Sequence, residues 1–230
     1  MDILETIRWY LGSVLGYFVQ MLPCMLAGTA VFWCLRPARK ARLARLGLYS
    51  PPAREVMLAV FTAFCAGLAA LTLFPAHFWS GALGVLFSPG DWEGGFELLL
   101  GLYPTRDEVL GNLPRLPDML RPLQEIRRAL RHGSWLMFML WGNMVMFMPI
   151  GFCSALLWRR GRWWKSALIG CGCSAAVELT QFFIGRSTDI DDVILNTAGA
   201  LAGYWLFLLL NRLAPGFMGQ FRCRKREDCC

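Results

Sequence analysis

Long apolar runs separated by short clusters of charge set the pattern of this chain. Trp9 to Leu35, Val56 to Gly90 and Gly133 to Trp158 contain no Asp, Glu, Lys or Arg. Each exceeds the roughly 20 residues that carry a helix across a bilayer core. Ser166 to Gly185 is interrupted only by Glu178, and Val193 to Asn211 is uncharged. The pattern predicts an all-α integral membrane protein with five transmembrane helices. The first run is too long for a typical cleaved signal peptide, and neither a basic leader nor an A-x-A site accompanies it. Between the second and third runs, Met119, Leu120, Leu123, Ile126 and Leu130 fall at helical spacing. They predict an interfacial helix with Pro122 in its first turn. "FELLLGLY", residues 96–103, is too short to span and reads as a surface-lying or re-entrant piece.

Composition agrees with this reading: 56% of the 230 residues are hydrophobic, more than a water-soluble domain of this size normally carries. The net charge of +7 would suit a nucleic-acid partner, but the positions of the charges exclude that class. Arg36, Arg39, Lys40, Arg42, Arg45 and Arg54 fill the first link, with Glu55 its sole acid. Arg159, Arg160, Arg162 and Lys165 fill the third, and Arg222, Arg224, Lys225 and Arg226 follow the last span. The positive-inside rule makes all three cytoplasmic, with membrane lipids as their partners. The N-terminus, the 80–134 link and the 185–192 link then lie outside; in the 80–134 link six basic residues are offset by seven acidic ones. This gives an additional N-terminal helix (1–35), a basic link (36–55), a helical membrane domain (56–213) and a basic tail (214–230). The nine cysteines show no zinc spacing, and the six within spans read as apolar packing.

Candidate chemistry concentrates in "VELTQFFIGRSTDIDDVILNTAGALAG", residues 177–203, which holds Glu178, Gln181, Arg186, Asp189, Asp192 and Asn196. Glu178 falls about 9 Å inside the outer end of span four and shares a face with Gln181. A carboxylate at this depth faces the bundle interior, pairs or stays protonated. Ser187, Thr188 or Asp189 is placed to cap span five, with Asp192 in its positive first turn. Asn196 continues that face into the apolar zone, followed by the close-packing pair Gly199 and Gly203. Asn143 lies about 12 Å below the outer boundary of span three. Pro149 and Gly151 are expected to loosen that helix beneath it and open a cavity.

Three ordered motifs carry a resemblance: Asn143-x-x-x-Phe147-x-Pro149-x-Gly151-Phe152, then Glu178-x-x-Gln181, then Arg186-x-x-Asp189-x-x-Asp192-x-x-x-Asn196-x-x-Gly199-x-x-x-Gly203. Over roughly residues 56–210 the chain resembles the VanZ-like family, and "TLFP", Thr72 to Pro75, is similar to its pattern late in the preceding helix. Span one and the long 80–134 link depart from the family's compact form. The resemblance implies a multi-pass protein of the bacterial plasma membrane, associated in some members with resistance to teicoplanin-type lipoglycopeptides.

The residues leave several mechanisms open. In an envelope enzyme, Glu178 is the general acid/base, Arg186 holds a phosphate or carboxylate, and Asp189 with Asp192 orients a head group or a divalent cation. Asn143, Gln181 and Asn196 then supply hydrogen bonds to a lipid-linked or wall-associated substrate. In a non-catalytic binder, the same cluster recognises a lipoglycopeptide, a wall precursor or a lipid head group. Lipid transport ranks last, because the inner halves of the spans show no acid. Interhelical hydrogen bonding alone is the simplest alternative.

Overall fold

The structure, a computed structural model, describes residues 3–74, 78–79, 82, 97, 101, 103–132, 134–158, 161–185 and 188–225. Helix α1 (Ile3–Arg45), a short strand β1 (Leu48–Tyr49) and α2 (Pro52–Leu73) form an N-terminal hairpin. There follow α3 (Arg106–Asn112), a 3-10 turn (Leu113–Arg115), α4 (Leu116–Met119) and α5 (Gln124–His132). Helices α6 (Ser134–Leu157), α7 (Trp163–Phe183) and α8 (Ile190–Leu213) build the main bundle, and α9 (Pro215–Gly219) with β2 (Arg224–Lys225) closes it. Five helices among the described residues are long and apolar enough to cross a membrane: Phe18–Arg45, Pro52–Leu73, Leu136–Leu157, Trp163–Phe183 and Ile190–Leu213. The protein is an all-α, multi-pass membrane protein, as the uncharged runs predict.

The first basic segment is helical where a link is expected. Helix α1 continues through Pro37 to Arg45, because "ARKARLAR" is rich in strong helix formers. It stops at Gly47, whose φ of +67° suits a residue without a side chain just past a helix end. Helix α2 ends well before Gly90. Phe74 is extended, with φ −102° and ψ 132°, as the residue before a proline tends to be.

The elbow between α1 and α2 is fastened by Glu55, 2% exposed. Its carboxylate accepts from Ser50 Oγ at 2.5 Å, from Arg36 Nε at 3.3 Å and from Arg39 Nη2. The two guanidinium groups also stack on aromatic rings of α1, Arg36 over Trp33 and Arg39 over Phe32. The tail reaches the same elbow: β2 pairs antiparallel with β1, Leu48 opposite Lys225 and Tyr49 opposite Arg224. Basic residues of the first link and of the tail therefore share one end of the bundle, here called the basic end.

Helices α6 and α8 approach backbone to backbone. A Cβ at Gly199 would overlap the Met144 carbonyl, one at Gly203 the Met148 carbonyl, and one at Gly151 the Ala200 carbonyl. Glycines at these three points remove the side chains that would hold the helices apart. On this face the space beside Pro149 is therefore closed rather than open. Helix α6 runs unbroken through Pro149, and the space toward α8 is filled by the neighbouring backbone. Below this contact Ala155, Leu156, Tyr204 and Phe207 form an apolar core that Met218 of α9 seals.

The expected interfacial helix is divided. Helix α4 ends at Met119 and α5 starts at Gln124, with Leu123 between them at a φ of +67°. Pro122 disfavours a helical conformation in Arg121 before it, so the chain turns there and a new helix begins beyond.

Candidate functional site

The loop between α7 and α8 carries the polar cluster, and each described carboxylate in it accepts a hydrogen bond. Asp189 is the N-cap of α8: its side chain accepts from the Asp191 backbone N–H at 2.9 Å. Glu178, 5% exposed on α7, accepts from the Asp189 N–H at 2.9 Å, and its own backbone carbonyl accepts from Thr188 Oγ1 at 3.2 Å. The end of α7 thus holds the start of α8. Asp192, three residues past the cap, accepts from Asn143 Nδ2 at 2.6 Å and ties α8 to α6. Asn196 lies four residues further along α8, the spacing that keeps it on the Asp192 face. It donates from Nδ2 to the fully buried Ser174 Oγ at 2.8 Å, joining α8 to α7.

Two residues outside the expected set complete the arrangement. Asp191 is 0% exposed, and its carboxylate accepts from the backbone N–H of Leu123 and, at 3.3 Å, from that of Ile126. These are donors at the start of α5, which lack intrahelical partners. Asp191 therefore caps a helix 65 and more residues away in sequence. Ser174, the second addition, lies four residues before Glu178 on α7 and thus on the same face. That i, i+4 spacing was its available signal. For Asp191 the signal was the absence of a Ser, Thr, Asp or Asn immediately before α5, which left its donors in need of an acceptor from elsewhere.

The 103–132 segment covers this end of the bundle. Tyr103 donates its hydroxyl to the Leu73 carbonyl at 3.3 Å, and burial pushes its pKa up, so it remains a donor. Pro104 lies against Gly185, whose φ is +71°. Helix α3 carries its own capping box, in which Thr105 Oγ1 accepts from the Glu108 N–H and Glu108 accepts from the Thr105 N–H.

The structure brings together Asn143, Glu178, Asp189, Asp192 and Asn196 through these bonds; Arg186 and Ser187 lie outside the described residues. Gln181 follows Glu178 by three residues, and its Oε1 is buried without a hydrogen-bond partner among the described residues. The same holds for Asn196 Oδ1. Asp189 and Asp192, expected as cation ligands, already accept from a backbone N–H and from an amide. No group of three metal-ligating side chains occurs among the described residues.

Residues 98–211 match the VanZ/LLP1 family model. The match takes in α3 to α8 almost to its end, and with them every residue of the polar cluster. No curated protein and no solved structure matches the chain. The hairpin of α1 and α2 precedes the matched region, while the order Asn143, Pro149, Glu178, Asp192, Asn196, Gly199 and Gly203 lies wholly within it. On that match, the chain belongs to the VanZ-like family.

Proposed function

We propose that this VanZ-like membrane protein is a non-catalytic binder in the bacterial cell envelope. It recognises the polar head of a lipid-linked wall precursor or a lipoglycopeptide, and so confers resistance to teicoplanin-type drugs. The basic end faces the cytoplasm and the polar end the outer leaflet, with the N-terminus outside and the C-terminus inside. One observation supports the reading: the carboxylates at the polar end are already held by backbone or amide donors, while Gln181 Oε1 and Asn196 Oδ1 are buried acceptors without a donor among the described residues. A buried carbonyl left unpaired costs about 1–3 kcal/mol. A ligand bearing amide or hydroxyl donors recovers that cost on binding. Arg186 adds a cation for a phosphate or carboxylate on the same ligand.

Glu178 separates binding from acid/base chemistry. As an acceptor for the Asp189 N–H it can be replaced by the amide oxygen of Gln, whereas proton transfer requires the carboxyl group. In cells with equal membrane abundance, Glu178→Gln is expected to keep teicoplanin resistance within about twofold of the wild type, as expected for an interhelical bond worth roughly 1 kcal/mol or less. Glu178→Ala, which removes the acceptor, lowers it. Loss of resistance in Glu178→Gln at unchanged abundance would return Glu178 to the role of general acid/base.

A further inference from the structure

At the basic end, opposite the polar cluster, lies a cavity of about 840 Å³ between the end of α6 and the start of α7. Its lining includes Ser154, Trp158, Trp164, Lys165, Leu168 and Ile169. We propose that this cavity is a binding site for one anionic phospholipid, its phosphate at Lys165 and the start of α7, its acyl chains along Leu168 and Ile169.

Three observations converge on an amphiphile of this charge. The lining grades from polar to apolar along the helix axis. Lys165 and the indoles occupy the span end, where Trp and Lys anchor at the membrane surface, and Leu168 and Ile169 lie one turn deeper. The deep wall opens sideways to the bilayer, since Leu168 is 63% exposed and sits on a helix that crosses the membrane. The electrostatics favour an anion. Lys165 is the charged residue of the lining, which holds no Asp or Glu among the described residues. Arg162, the N-cap of α7, makes no side-chain cap hydrogen bond, and as a pure donor it has no acceptor to offer the first turn. The Arg162 carbonyl takes the Lys165 N–H at 3.0 Å, and no side chain caps the first turn, so its leading N–H groups suit an outside acceptor such as a phosphate oxygen.

The polar floor is a separate, closed network. Ser154 and Ser166 Oγ lie 2.9 Å apart, and Ser154 Oγ donates to the Gly151 carbonyl at 2.8 Å. This floor fixes α6 against α7 and keeps the cavity walls in place. The volume lies within the roughly 300–1,000 Å³ typical of small-molecule sites, and the location suits a lipid of the cytoplasmic leaflet, where anionic head groups and basic residues meet.

Native mass spectrometry of the full chain, released from micelles containing equal phosphatidylglycerol and phosphatidylcholine, tests the site. One phosphatidylglycerol is expected to remain bound in preference to phosphatidylcholine. Lys165→Gln is expected to cut that preference about fivefold. Leu168→Trp, which fills an exposed wall without touching the floor, should reduce retention of both lipids. Arg45→Gln removes a positive charge at the far end of α1 and should change nothing. Equal retention of the two lipids by the wild type overturns the proposal. So does an Arg45→Gln effect as large as that of Lys165→Gln, which would mean diffuse surface charge, or displacement of the lipid by glycerol phosphate alone, which would mean a simple phosphate site. Melting temperatures of the three variants within a few degrees of the wild type show that the readout is occupancy.

Discussion

Replacing Glu55 by Ala is expected to cost about 3 kcal/mol of stability or more, the largest single-residue effect in the α1–α2 hairpin. Glu55 is almost fully buried, and Arg36, Arg39 and Ser50 all donate to it. Removing the carboxylate leaves two guanidinium groups beside the buried Ser50 with no anion to offset them. The arginines are about one-third exposed, so solvent relieves part of that cost and the lower end of the range for a broken buried pair applies. Glu55→Gln keeps an acceptor for Ser50 and loses only the charge, so it should fall between Ala and the wild type. Thermal unfolding of the purified protein in detergent checks the order. A melting temperature for Glu55→Ala equal to the wild type would show that α1 is held to α2 by apolar contact alone.

The second large effect is expected at Asp191. Its carboxylate satisfies the Leu123 and Ile126 N–H groups at the start of α5. In Asp191→Ala both donors lose their acceptor, at about 1–3 kcal/mol for each that stays buried. No Ser, Thr, Asp or Asn immediately precedes helix α5, which is only nine residues long, too short to persist unsupported in water. The variant should therefore release α5 rather than tolerate unpaired donors. Hydrogen exchange across residues 124–132 is expected to rise to near that of an open segment, with exchange in α7 and α8 little changed. Unaltered protection of α5 would mean that its apolar face, and not Asp191, holds it in place.

Much of the bundle was legible because its causes are local. A run of twenty uncharged residues has few stable fates other than a membrane helix, and Gly199 and Gly203 four apart mark a close helix contact whatever the partner. The grouping of Asn143 with Glu178 and Asn196 followed from depth, but the pairing of Asn143 with Asp192 did not, and neither did the filling of the space on the α8 side of Pro149. There the glycines bring the α6 and α8 backbones together and leave no space between them. Asp191 was hidden by its neighbours. It sits in a first turn where Asp189 and Asp192 already had explanations, and a helix turns about 100° per residue, so adjacent acids serve different partners. Its partner lies across the chain on α5, and only the folded arrangement reveals which acid meets it. Glu55 was visible as the sole acid among six arginines and lysines, but that pattern reads equally as a solvated link. The fold of β2 back onto β1 decides that this segment and the tail meet.

The polar cluster supplies interhelical support, and in the proposed binding reading it is also a recognition surface; the two roles separate by residue. Asp189, Asp191 and Asp192 spend their acceptors on helix ends and on Asn143. Gln181 makes no such contribution through its buried Oε1 among the described residues, so on the binding reading its replacement should weaken ligand capture more than stability. The most direct measurement is therefore incubation of the purified protein, reconstituted in nanodiscs, with a lipid-linked wall precursor or with teicoplanin, followed by mass spectrometry of the retained ligand. The binding reading predicts saturable retention of one of them, recovery at unchanged mass, and weaker retention by Gln181→Ala at an unchanged melting temperature. Accumulation of a chemically altered product, or retention of neither ligand, would contradict it.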